Sequence, residues 1–116
     1  MDKEKIASFL DATLLKPTAA RDDIKKLCTE ALQYRYAAVC INPFYVEYAA
    51  QLIAGSCIGV ATVVGFPLGA NTLQVKLLEA RDAVARGATE IDMVLNIGAL
   101  KDRQIDYVKN EIRSVK

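Results

Sequence analysis

The sequence contains no histidine, and that absence alone removes the Ser–His–Asp triad and every imidazole-based acid–base scheme. Cysteine is scarce: Cys28, Cys40 and Cys57 are the three, with no CxxC spacing. An odd count without paired spacing argues against a disulfide framework and against a metal site, and a reducing cytoplasm is the expected location. Long apolar runs are missing too, so no bilayer span is expected. Met1-Asp2-Lys3-Glu4-Lys5 is mixed in charge with no apolar stretch behind it, which does not fit a signal peptide. Nor is there an excess of one charge. Lys plus Arg number 15 against 14 for Asp plus Glu, and this balance argues against nucleic acid or an anionic membrane as the main partner.

What the chain does have is apolar residues, 53% of 116, enough for the core of one domain spanning residues 1–116. They fall into strand-length runs alternating with segments of helical period, four times over. Ile6 to Leu15 holds a first strand, ended by Lys16-Pro17. Thr18 then caps a helix with Asp22 and Asp23 in its first turn and a buried stripe of Ile24, Leu27, Cys28 and Ala31. Ala37 to Ile41 reads as a strand buried on both faces. Asn42 and Pro43 start a helix through Val46, Ala49, Ala50 and Ile53 that stops at Gly55.

Ile58 to Val64 is the third strand, left by the tight turn Gly65-Phe66-Pro67-Leu68-Gly69. A helix from about Thr72 carries Leu73, Leu77, Ala80 and Val84 to Gly87. Glu90 to Leu95 is the fourth strand, and a last helix carries Ile105, Val108, Ile112 and Val115. No Gly, Pro or polar cluster closes that helix, so a cut chain is expected. Repeated βα units with short loops imply parallel strands and right-handed crossovers. The first helix start lacks a GxGxxG fingerprint, which favours a barrel over a dinucleotide-binding open sheet. The expected fold is therefore α/β, a parallel (βα)4 half of a TIM-type barrel. Its open edges and uncovered barrel-facing side chains predict completion by self-association, as a homodimer or higher assembly.

In such barrels chemistry sits at the C-terminal ends of the strands. Asp92 interrupts an apolar strand, and burying its charge is costly unless partners offset it; it is either an acid–base group or a carboxylate satisfied by local donors. Asp11 carries the same two readings. Cys40 reads as a small core residue before it reads as a nucleophile, since no cationic neighbour is apparent. Asn42 reads as a helix cap, and Lys16 and Lys76, the lysines nearest strand ends, as solvated surface charges.

Four blocks carry a resemblance. Ile6 to Pro17, Ala37 to Pro43, Thr62 to Ala70 and Glu90 to Asn96 are similar, in order, to deoxyribose-phosphate aldolases. The resemblance implies a TIM-type barrel and a cofactor-free, reversible condensation of acetaldehyde with glyceraldehyde 3-phosphate to 2-deoxyribose 5-phosphate. It implies that Asp92 is the acidic member of a proton relay, that Asp11 supports it, and that Cys40 lies beside the site in contact range of substrate. Ala12 departs from the many relatives that have His there. The family's Schiff-base lysine, its partner lysine and its phosphate loops lie on later strands and have no counterpart in these 116 residues. An imine-forming enzyme needs that amine, so the chain by itself is expected to be inactive. Two alternatives are a self-assembling structural half-barrel and a non-catalytic module that binds a small aldehyde or sugar.

Overall fold

Two apolar runs and two alternating ones become strands. They are β1 (Asp11–Leu14), β2 (Ala38–Ile41), β3 (Gly59–Val64) and β4 (Glu90–Met93). A computed structural model describes residues 2–116. Its strands form one parallel sheet in the order β1-β2-β3-β4, with Thr13 opposite Cys40, Cys40 opposite Ala61 and Val63 opposite Asp92. Helices α2 (Arg21–Tyr34), α3 (Val46–Leu52) and α4 (Leu73–Arg86) connect successive strands, and α6 (Ile105–Val115) follows β4. This is half of a TIM-type barrel. Its Cα radius of gyration, 15.4 Å, exceeds the ~13 Å of a compact chain of this length, as an unclosed sheet should.

The two faces of the sheet are unequal. Ile24, Cys28 and Ala31 of α2 and Val46 and Ala49 of α3 pack on Val39, Ile41 and Val60 to form the main core. The opposite face holds a small cluster, Cys40, Ala61 and Val63, with Leu15 against it. Toward the sheet edges that face carries Asp11, Thr13, Glu90 and Asp92, all exposed.

Several expectations need correction. Ile6 to Leu15 is not one strand. Lys3–Ala7 forms a helix, α1, because the Asp2 carboxylate accepts the Lys5 N–H at 2.7 Å and supplies an N-cap. Thr18 does not cap α2; that helix begins after Ala20, whose N–H donates to the Asp23 carboxylate at 2.8 Å. The fourth strand ends at Met93, and Asn96 then caps a short α5 (Ile97–Lys101) by accepting the Ala99 N–H. Val84, Ile105 and Ile112 are exposed rather than buried. Asn42 makes no side-chain cap; its Nδ2 donates to the Leu15 carbonyl at 3.4 Å and ties the loops after β1 and β2.

Lys76 is the largest correction. It is fully buried rather than solvated, paired with an equally buried Glu111 at 2.7 Å. The loop after β3 wraps around it. Gly69 sits at φ +67°, where an added Cβ would run into the Leu95 carbonyl, so only glycine fits there. Among the described residues no helix is long and apolar enough to cross a membrane.

Candidate active site

Side chains alternate along a strand, so the rows that face away from the helices can be read from the register. Cys40 on β2, Ala61 and Val63 on β3 and Asp92 on β4 share that face. Asp11 lies on the same row of β1, two residues before Thr13, the register partner of Cys40. Ala12 is opposite Val39, which belongs to the helix-side core. Ala12 therefore points away from the carboxylates.

The closest contact in the group is Cys40 Sγ donating to Asp92 Oδ2 at 3.6 Å. These residues sit on strands separated by β3, and the contact spans that strand over Ala61, the partner of Cys40, and Val63, the partner of Asp92. Ala61 is a neighbour of the thiol that strand patterning alone does not flag. Its signal is a small side chain among the bulkier Val60, Thr62, Val63 and Val64. Burial pushes the Cys40 thiol up to about 11, helped by the Asp92 charge and hydrogen bond and then by Asp11 and Glu90. The thiol is thus neutral near pH 7 and acts as a hydrogen-bond donor rather than a nucleophile. The thiol therefore lies within the field of Asp92, Asp11 and Glu90.

The site residues expected from the sequence, Asp11, Cys40 and Asp92, are brought together. Both aspartates are exposed rather than buried, so neither needs a compensating cation within the described residues. None of the four strands contains a lysine. Of the lysines near strand ends, Lys16 is exposed, while Lys76 uses its ammonium on Gly69 O, Val94 O and Glu111. No amine within the described residues is thus set on a strand to face Asp92. No group of three or more His, Cys, Asp or Glu is placed to hold a metal ion among the described residues.

The rim above the site is also ordered by side chains. Gly65 N–H donates to Glu79 at 2.7 Å, Lys76 reaches the loop carbonyl of Gly69, and Glu111 Oε1 accepts from Asn96 N–H at 2.9 Å. Glu111 could have been found from the sequence. It stands three residues after Val108 and four before Val115, within the apolar stripe of the last helix.

This geometry can be set beside known proteins. A curated deoxyribose-phosphate aldolase of Clostridium perfringens is 56% identical over 115 residues, which is 99% of this chain and 51% of the relative. The corresponding enzyme of Caldicellulosiruptor saccharolyticus is 52% identical over 99% of the chain and 52% of its own length. The chain spans about half the length of the curated relatives it matches. Among solved structures, the tetrameric deoxyribose phosphate aldolase of Aeropyrum pernix superposes with a TM-score of 0.80 at 32% identity, covering 98% of this chain and 50% of that one. The family model of the DeoC/LacD aldolases matches residues 7–116. On that match, which takes in all four strands and the three site residues, the chain belongs to the DeoC/LacD family of aldolases.

Proposed function

We propose that this chain supplies the proton-transfer half of a class I aldolase site. The reaction of the closed barrel is reversible cleavage of 2-deoxyribose 5-phosphate to acetaldehyde and glyceraldehyde 3-phosphate. The observation that supports this reading is the convergence of Asp11, Cys40 and Asp92 on the face of the sheet that the helices leave open. Asp92 is the acid–base group. One of its oxygens takes the Cys40 thiol, which fixes the carboxylate's orientation and leaves the other oxygen to exchange protons with a substrate carbon or hydroxyl. Asp11 sets the local charge, and the neutral Cys40 borders the substrate. The amine that forms the imine comes from outside these 116 residues, since no strand here carries one.

The test is retro-aldol turnover of 2-deoxyribose 5-phosphate, with borohydride trapping of acetaldehyde as a second arm. The chain alone should give neither turnover nor a trapped adduct. Mixed with a lysine-bearing second half of a relative, it should turn over, and Asp92→Asn should abolish that turnover. Turnover by the chain alone at about 1 s⁻¹, an ordinary enzymatic rate, would refute the reading, as would an active mixture indifferent to Asp92→Asn.

A second property rests on a different observation. The outer edges of β1 and β4 are both unpaired, and each borders a hollow. The one at β1, about 330 Å³, is lined by Asp11, Thr13, Leu27 and Tyr36; the one at β4, about 380 Å³, by Leu77, Val84, Ile91 and Val115. We propose that two copies pair β4 of each with β1 of the other around a two-fold axis, which closes both edges. A monodisperse monomer at micromolar concentration in sedimentation velocity would rule this out.

A further inference from the structure

Lys76 and Glu111 lie 35 residues apart on different helices, α4 and α6, and both side chains are sealed from solvent. The other ion pairs among the described residues, Arg86 with Glu47 and with Asp82, are exposed. Each donor and acceptor of the buried pair has a defined partner. Lys76 Nζ donates to Glu111 Oε2 at 2.7 Å, to Gly69 O at 2.8 Å and to Val94 O at 2.9 Å. Glu111 Oε1 accepts the Asn96 N–H at 2.9 Å. The pair thus grips the loop that leaves β3 and the main chain that leaves β4, beginning two residues beyond Asp92. The stem of Lys76 also fills the space beside Gly65, where an added Cβ would come within 2.9 Å of Cε.

A pair of this kind is a weak source of stability. Withdrawing two charges from water offsets most of their attraction, and apolar residues of similar volume often serve a fold as well or better. Apolar residues could not, however, fix Gly69 and Val94 by direction. We propose that Lys76 and Glu111 are positioning residues: their buried pair locks the exits of β3 and β4 to each other and so holds Asp92 against Cys40. The catalytic meaning of this rests on the acid–base reading of Asp92; the positioning itself does not.

The test uses Cys40 as a built-in reporter, because the thiol faces Asp92 and Glu90 from β4 and Asp11 from β1, while β3 offers it only apolar Ala61 and Val63. Alkylation by iodoacetamide is followed for each cysteine by peptide mass spectrometry as a function of pH. Cys28, buried in the helix-side core, monitors general opening in the same molecules. The double variant Lys76→Met/Glu111→Leu keeps the net charge and removes both sets of hydrogen bonds. Positioning predicts that Cys40 reacts several-fold faster below pH 9 with Cys28 unchanged, and that adding Asp92→Asn then changes little, although in the wild-type background it accelerates Cys40. Lys76→Met alone sharpens the sign. Removal of a positive charge by itself cannot speed the thiol, whereas release of Asp92 does. Glu111→Gln, which leaves an oxygen for Asn96 N–H, serves if the larger changes unfold the chain, and should give an intermediate acceleration. Cys40 and Cys28 accelerating together would reduce the pair to a fold element, and an unchanged Cys40 would remove the positioning role; either result overturns the proposal. Because the readout is thiol chemistry, failure of aldolase activity leaves this test intact.

Discussion

Replacing Asp92 by Asn removes one charge, keeps the side chain's shape and leaves an oxygen within reach of Cys40. The thiol stands at about 11 against an ordinary 9.0, with burial as the leading cause and the Asp92 charge and hydrogen bond next. At pH 8 those two values correspond to thiolate fractions of roughly one in a thousand and one in ten, a window of about a hundredfold in alkylation rate. Asn leaves the burial and the weaker influences of Asp11 and Glu90 in place, so only part of that window should open. The expected gain for Cys40 at pH 8 is about three- to tenfold, with a midpoint between 9.0 and about 11. Site-resolved iodoacetamide labelling over pH 7 to about 11 measures both, within the range where the free thiol titrates. An unchanged midpoint would mean that Sγ and the carboxylate are not in contact in solution. A midpoint at or below 9.0 would mean that burial is not the main cause.

Two further outcomes follow. The folded thiol of Cys40 titrates above its unfolded value, so it contributes stability that is complete below about pH 9 and lost as pH climbs through about 11; Cys40→Ala should flatten the alkaline fall in denaturant midpoint, and an identical fall would refute the linkage. Gly69→Ala forces a Cβ toward the Leu95 carbonyl at φ +67° and should cost about 1–3 kcal/mol in urea unfolding, whereas Gly55→Ala, with the same sign of φ but nothing within 4 Å, should cost less.

The strands and their order were legible because β2 and β3 are apolar on both faces and cannot be read as amphipathic helix. The stretch before Asp11 was not, since Ile6, Ala7, Phe9 and Leu10 fit a strand as readily as a helix and only the Asp2 cap decides between them. Asp11, Cys40 and Asp92 were singled out in the sequence as polar or thiol residues within or at the end of strands and from the family resemblance, and the structure places them on one face of the sheet, with Asp11 at the start of β1 rather than at its C-terminal end. The exposure of both aspartates was not, because it depends on which face the helices leave open. Lys76 was misread for a related reason: a lysine on a helix looks solvated until its partner, 35 residues later, is known. Ala61 carries no chemistry of its own, and its place between thiol and carboxylate exists only in three dimensions.

The strand order bears on how the molecule forms. Every strand pairs with the one just before or after it in the chain, so each pairing closes only the loop of its own connecting helix, and lengthening such loops costs little, about 0.6 kcal/mol per doubling. The sheet can therefore grow one unit at a time from the amino end, as a chain emerges during synthesis, without waiting for a distant segment. The contacts that join remote parts, Cys40 to Asp92 across 52 residues and Lys76 to Glu111 across 35, come after that growth. The contact between Cys40 and Asp92 would then be among the last things the chain acquires, assembled on a scaffold that is already standing.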